Sequence, residues 1–492
     1  MNPDRTDSGG KDATADRSGA SDLFGRGMLY VVIWSMQVVV ATVVSPVLTY
    51  TLPVAEFGSL SAAIALYQLL IVLTVLGLDQ ALEMQRVEDR DPARARGLLT
   101  AGLAIDVVIV GVIALLSPLW APALGFSSYT LVLITLGWTA PGAGVMLSLS
   151  LLQAEDRFAK FATVSLISTV GGLLIGLTLL FTWERTAEVY ALGGIIGQVT
   201  ALILGLAWTR PKLAGLLDRE TLRRGLRLGI PLALTGLSTF LLTAADRFII
   251  QRMLGEVQVA RYQVAFTIGN VVTLILTFTN RAWLPRLKNV ANDAQRWRVI
   301  ATSRDGVFSL VAWAVLGVTV AAPTLLQIFA PATYAQEELV SVVALIGLAA
   351  FPVAAAAASS QMLVTIRWSV PLAWASVVAV VVKIVATFAL ILPLGLNGIA
   401  AATFLGLLAQ AVVLRLAVTR RHSPIRVAWP VLVLAVVAVA GCVASILAPQ
   451  EPAWKIGRFA FSCCCLLPFF LGLRRLQSND EKSVPKADPA SA

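Results

Sequence analysis

Long runs of predominantly apolar positions recur along the whole chain, separated by short polar or Gly/Pro-bearing segments. They fall near residues 28–50, 58–78, 98–116, 129–152, 161–181, 189–208 and 228–250, and continue near 260–281, 306–329, 339–361, 371–392, 397–418, 428–447 and 456–473. Each is close to the ~20 residues a helix needs to cross ~30 Å of hydrocarbon. In lipid every backbone N–H and C=O must be satisfied within the protein, which uninterrupted runs of this length achieve only as helices. The pattern predicts an all-α polytopic membrane protein with about fourteen transmembrane helices.

The polar segments orient these helices. Residues 1–27 are rich in Ser, Gly and Asp with no apolar period, the composition of a disordered tail. The run that begins at Met28 is too long for the apolar region of a signal peptide and shows no small-residue cleavage site. With the N-terminus inside, the inner segments carry Arg86, Arg90, Arg94 and Arg96, then Arg157 and Lys160, then the basic cluster of 210–227 and those that follow the eighth, tenth, twelfth and fourteenth runs. With the tail, roughly four-fifths of the 38 Lys and Arg fall on that side, whereas the outer segments 51–57, 121–128 and 331–338 contain none. An even number of spans in a cytoplasmic (inner) membrane follows, with both termini cytoplasmic.

The chain also resembles itself. ALILGLAWTR at 201–210 matches AVVLRLAVTR at 411–420, Arg157 matches Arg367 in the same context, and LPVAEFGSLSAA near Phe57 echoes LGEVQVARYQVA near Tyr262. Agreement in offset and in membrane side predicts two like-oriented six-helix lobes related by an axis along the membrane normal. The expected organisation is a cytoplasmic tail (1–27), an N-terminal lobe (28–209), a connector (210–227), a C-terminal lobe (228–420), a helix pair (421–473) and a second tail (474–492). The connector, with Leu213, Leu216, Leu217 and Leu226 among basic residues, reads either as an amphipathic helix on the inner leaflet or as a solvated loop.

Composition sharpens the class and removes others. The chain is 58% hydrophobic and 13% charged, with a mean hydropathy of +0.81, against about 25% charged residues in soluble domains. The net charge of +10 sits in short clusters between apolar runs, which marks topology and not a nucleic-acid surface. One histidine, His422, and four cysteines, Cys442, Cys463, Cys464 and Cys465, leave little from which to build a metal centre or a histidine-based catalytic site. No phosphate-binding loop, HExxH or CxxC motif is present, and no outer segment is large enough to hold an acceptor substrate. The expectation is a non-enzyme without cofactor or metal.

Candidate function lies in polarity inside the apolar runs. In the eighth, Gln263, Thr267, Asn270, Thr273, Thr277 and Asn280 recur at steps of three or four and end at Arg281, which places them on one helix stripe. In the seventh, Thr235, Thr239, Thr243 and Arg247 repeat every four residues, beside Ser238 and Asp246. Such stripes line either a water-filled cavity or an ordinary helix–helix contact. Ionisable groups within spans cost ~2.5–3.5 kcal/mol on insertion scales, so they are functional candidates. Lys383 lies near the middle of the eleventh run, Asp246 and Arg247 toward the outer end of the seventh, and Asp106 in the inner half of the third. The structural alternatives are an Asp246–Arg247 salt bridge, snorkelling, and helix packing by Asp106. Arg247, Lys383, Asp246, Asn270, Gln263, Thr267, Thr277, Asn280 and Arg281 are the candidate substrate-binding residues, with Asp106 and Asp246 candidates for coupling.

The segment AADRFIIQRMLGEVQVARYQVAFTIGNVV, together with LPVAEFGSLSAA, LGLDQAL and LPLGLNGIAAAT, resembles the polysaccharide-transporter branch of the multidrug/oligosaccharidyl-lipid/polysaccharide exporter superfamily. The resemblance implies an O-antigen or exopolysaccharide flippase that moves an undecaprenyl-pyrophosphate-linked oligosaccharide between leaflets. It also implies membrane lipids, a polysaccharide polymerase and a chain-length regulator as partners, and no nucleic acid. It assigns importance to Asp246, Arg247 and Lys383, whereas the first span lacks a matching Asp or Arg. A cation-coupled drug exporter, a lipid II flippase and a non-transporting scaffold of a glycan-synthesis complex are the alternatives.

Overall fold

In the computed structural model each of the expected apolar runs is helical. The structure describes the backbone of residues 9–88, 91–281, 293–420, 427–448 and 452–483, and the side chains of 29–87, 91–216, 218–276, 297–420, 427–448 and 454–474. His422 and the side chains of Thr277, Asn280 and Arg281 lie outside these residues. Spans 1 to 6 are Leu29–Thr51, Val54–Val75, Pro92–Leu115, Tyr129–Ala154, Phe158–Thr182 and Ala187–Thr209. Span 7 is Arg219–Thr243 and span 8 comprises Glu256–Gly269 and Val271–Arg281. Spans 9 and 10 are Trp297–Phe329 and Gln336–Thr365, and spans 13 and 14 are Trp429–Leu447 and Trp454–Arg474.

Two features reconcile the 12 helices that, among the described residues, are long and apolar enough to cross a membrane unaided with the expected number of about fourteen. The 50-residue helix Val370–Thr419 contains non-helical Gly395, at φ 55° and ψ −129° beside Pro393, and therefore holds both span 11 and span 12. Span 8 is broken at Asn270 into two short helices, neither of which spans alone.

The first helix begins at Gly9, upstream of the start expected at residue 28. Adding residues to an already nucleated helix fixes one residue per hydrogen bond gained, so a helix can propagate into a segment whose composition would not nucleate one. The connector likewise forms a 3-10 turn, Leu213–Leu217, before Arg219 opens span 7.

Residue contacts divide the chain into two compact units, one comprising Met1–Val44, Leu70–Ser117 and Leu133–Ala233, the other Ser45–Leu69, Pro118–Val132 and Leu234–Ala492. In the first, Val75, Leu78, Leu82, Leu98, Leu99, Leu147 and Leu151 form a buried cluster. Spans 5 and 6 meet there through glycines: a Cβ at Gly193 would lie 2.2 Å from the Gly176 nitrogen, and one at Gly197 would lie 2.5 Å from the Gly172 Cα. Close backbone approach through small residues is how helices gain packing energy where lipid offers no hydrophobic drive. In the second unit, Ala312, Leu316, Val320, Ala438 and Cys465 join span 9 to spans 13 and 14. Many large apolar side chains stay exposed, among them Leu115, Phe181, Leu392 and Leu447, as lipid contact requires.

Candidate functional site

Span 7 stops being helical just where its polar stripe reaches the charged residues. The helix ends at Thr243, two residues turn, and a new helix runs from Asp246 to Leu254. Asp246 thus stands in the first turn of a helix, where the N-terminal dipole favours an anion. Broken helices inside a bilayer are tolerated where protein or water takes up the freed polar groups. Both breaks near this site, at 244–245 and at Asn270, fall beside polar side chains.

Asp246 is fully buried, and its partners come from three other spans. The Lys383 Nζ of span 11 lies 2.9 Å from Oδ1 and 3.0 Å from Oδ2, and it also donates to the Leu242 carbonyl at 2.5 Å. The Tyr262 hydroxyl of span 8 donates to Oδ2 at 3.0 Å, and the Thr403 hydroxyl of span 12 does so at 3.3 Å. Lys383, Tyr262 and Thr403 are themselves buried. Two of the three ammonium donors are spent on Oδ2 and the Leu242 carbonyl, and the approach to Oδ1 is ionic.

Spans 11 and 12 can bring Lys383 in because residue 406 is glycine. A Cβ there would sit 2.8 Å from the Lys383 Cβ.

Arg247, next along the chain, turns to a different set. Its Nε and Nη2 fork around the Gln263 Oε1 at 3.1 and 2.9 Å, and Nη1 donates to the Thr243 carbonyl at 2.7 Å. The guanidinium carbon stands 4.1 Å from the Phe266 ring centre and 5.4 Å from that of Tyr262, in reach of cation–π attraction. Gln263 Nε2 donates to the Thr267 hydroxyl at 3.3 Å. The structure thus gives Asp246 to Lys383 and Arg247 to Gln263, in place of a local Asp246–Arg247 bridge.

Of the two stripes, Thr235, Thr239 and Thr243 are exposed on span 7, and Gln263, Thr267, Asn270 and Thr273 are half-buried on span 8. Thr239 and Thr243 back-bond to their own helix four residues earlier, so their hydroxyls keep a lone pair for a second partner. Arg247 joins the two stripes through Thr243 and Gln263. The second candidate carboxylate, Asp106, belongs to the other unit, where it is buried with a hydrogen bond from Thr74 and leaves Oδ1 without a partner among the described residues.

Sequence reasoning missed Tyr262 and Thr403, which give no signal because a lone Tyr or Thr in an apolar span is ordinary. It also missed Arg458 of span 14, whose Nη2 donates to the Ser445 carbonyl at 2.9 Å and whose Nε donates to that of Val320 at 3.3 Å. Among the described residues no group of three or more His, Cys, Asp or Glu could hold a metal ion.

Residues 24–290 match the family described as polysaccharide biosynthesis protein. No curated protein matches the chain. Several solved structures share its fold. One is an inward-facing multidrug resistance transporter of the MATE family, in the MOP superfamily, with a TM-score of 0.62, 15% identity and coverage of 78% of this chain and 94% of its own. Another is the lipid II flippase MurJ in an inward closed conformation, with a TM-score of 0.67, 12% identity and coverage of 92% of this chain and 99% of its own. A third is the eukaryotic MATE transporter AtDTX14, with a TM-score of 0.51, 15% identity and coverage of 85% of this chain and 97% of its own.

Proposed function

Since the chain belongs to the polysaccharide biosynthesis protein family, we propose that it is a flippase that moves an undecaprenyl-pyrophosphate-linked oligosaccharide, the repeat unit of an O-antigen or exopolysaccharide, from the inner to the outer leaflet of the cytoplasmic membrane. It is a multi-pass membrane protein. It works by alternating access of two lobes, 28–209 and 228–420, followed by the pair 421–473, with both termini cytoplasmic.

The observation that carries this reading is the continuous polar path from Thr239 and Thr243 through Arg247 and Gln263 to Thr267. A headgroup of this kind is anionic at its pyrophosphate and heavily hydroxylated in its sugars. Threonine hydroxyls and the amides of Gln263 and Asn270 suit the sugars, and a guanidinium suits phosphate oxygens. Lys383 adds a second cation once Asp246 releases it. Thr277, Asn280 and Arg281 extend the same stripe along the sequence.

A drug exporter is the second reading, favoured by the likeness to multidrug transporters. Coverage tells against it, because the flippase spans 92% of this chain where that multidrug transporter spans 78%. A scaffold role fits the polar path less well, since a surface used only for packing gains nothing from exposed threonines.

The test is a pair of alanine variants, Arg247→Ala and Lys383→Ala, singly and together, read by surface polysaccharide and by lipid-linked intermediate. Loss of the first with accumulation of the second is expected. Wild-type levels of both in all three variants contradict the site.

A further inference from the structure

A second charged cluster, apart from the proposed substrate path, lies where five segments of the first unit converge. Glu155 follows the end of span 4, and its side chain is only 5% exposed. Three guanidiniums share it. The Arg157 Nε lies 3.1 Å from Oε2, the Arg96 Nη2 3.4 Å from Oε1, and the Arg86 Nε 3.8 Å from Oε1. Asp156, in the left-handed region at φ 54°, turns the chain so that Arg157 comes back to Glu155.

The cluster is fixed from its far side as well. Arg157 Nη1 donates to the Trp208 carbonyl at the end of span 6, at 3.0 Å, and Lys160 stands 5.9 Å from the Trp208 ring centre. The Arg96 carbonyl accepts the Lys212 N–H at 3.3 Å, and residue 97 packs its backbone directly on Gly215.

The accounting of donors and charge is unequal. Three guanidiniums offer fifteen N–H donors, and one carboxylate accepts about four. Only the Arg96 contact is a hydrogen bond, and the Nε atoms of Arg86 and Arg96, like Glu155 Oε2 itself, are buried without a hydrogen-bond partner among the described residues. A buried donor left unpaired loses its water without compensation. The guanidiniums are nevertheless partly open to the outside, with side chains 23–35% exposed. Three converging forks with excess positive charge and unspent donors match a tetrahedral dianion better than they match a single carboxylate.

We infer that Arg86, Arg96 and Arg157 form a phosphate-binding site, with Glu155 as the internal anion that holds the three guanidiniums together and competes with the ligand. The shared chemistry is a phosphate group, carried either by a free anion or by a lipid headgroup. The inference does not depend on the proposed transport function.

The experiment uses the purified full-length protein. Inorganic pyrophosphate is titrated in detergent, with sulfate at matched ionic strength as reference, and binding is followed by the shift of the thermal unfolding midpoint. In parallel, protein from nanodiscs of mixed phosphatidylglycerol and phosphatidylcholine is weighed by native mass spectrometry. Saturable binding by the wild type is expected in one arm or both. A response to pyrophosphate points to a free anion, and selective retention of phosphatidylglycerol alone points to a lipid. The Arg86→Gln/Arg96→Gln variant should weaken binding about tenfold or more, whereas Arg185→Gln, an exposed cation elsewhere in the unit, should not.

Glu155→Gln removes the competing charge and should bind more tightly than the wild type. This second variant separates a site from general electrostatics and from a folding defect in the arginine double. Equal binding by wild type and the arginine double, or weaker binding by Glu155→Gln, overturns the inference.

Discussion

Two buried carboxylates, one in each unit, meet the low-dielectric interior in opposite ways. Asp246 is matched by a lysine, a tyrosine and a threonine, so that its charge has a counter-charge within 3.0 Å. Asp106 has a threonine and no counter-charge among the described residues, and the Oδ1 of each carboxylate lacks a hydrogen-bond partner there. Both are buried to about the same degree, 0% and 1% exposed, so burial alone does not separate them. The difference is that Asp246 has a cation beside it, whereas Asp106 has none among the described residues. The first is a buried ion pair. The second is a buried carboxylate held by a hydroxyl alone.

The largest effect should come from breaking the matched pair. Lys383→Met leaves Asp246 buried and uncompensated, which costs about 3–5 kcal/mol, to be read as a lowered unfolding midpoint in detergent. Asp246→Asn/Lys383→Met, which removes both charges while keeping volume, should recover most of that loss. Failure of the double variant to recover would mean that the lysine acts through packing and not charge.

Gly406→Ala comes next. The added methyl meets the Lys383 Cβ at 2.8 Å, and overpacking of this kind costs about 1–3 kcal/mol. It should displace the ammonium from Asp246 while leaving every polar residue in place, so export should fall with stability.

On the other side of the comparison, Asp106→Asn should change stability by less than about 1 kcal/mol, because an amide can still accept from Thr74 and no counter-ion is orphaned. Its export should nevertheless fall if Asp106 couples transport. Unchanged export with unchanged stability would reduce Asp106 to a packing residue.

The smallest effect concerns a carboxylate outside the spans. Asp91 caps the helix of span 3, accepting the Arg94 and Ala93 amides at 3.2 and 2.9 Å, and these bonds hold its carboxyl below the usual range. A depressed value means that the cap is fully present above the ordinary Asp value of about 4 and is lost as pH falls through the lower folded one. Amide exchange at Ala93 and Arg94, corrected for intrinsic rates, should lose protection across that acid window while the middle of span 3 does not.

How much of this was legible in the chain depends on distance along it. The apolar runs that become spans are local signals, and each was readable because about twenty residues of lipid-compatible sequence leave the backbone one solution. Asp246, Arg247 and Lys383 stood out individually for the same local reason, as ionisable residues in apolar surroundings. Their pairing did not, since Lys383 and Asp246 are 137 residues apart and nothing in either neighbourhood names the other. Arg247 illustrates the converse: its nearest opposite charge in sequence is Asp246, yet the helix break at 244–245 sends the two side chains to different partners.

The Glu155 cluster was visible only as topology-setting basic residues, because its three arginines come from separate segments. The glycines of spans 5 and 6 carry a readable pattern, four-residue spacing at 172/176 and 193/197, which polarity does not mark.

The most direct test of the account is translocation by the purified protein. Vesicles containing a fluorescent undecaprenyl-pyrophosphate oligosaccharide are made with and without the chain, and the fraction of headgroup reachable by an added impermeant reagent is followed over time. The account predicts that the chain speeds exposure of inner-leaflet headgroups and that Arg247→Ala/Lys383→Ala abolishes this. Exposure at the protein-free rate by folded wild-type protein would contradict it.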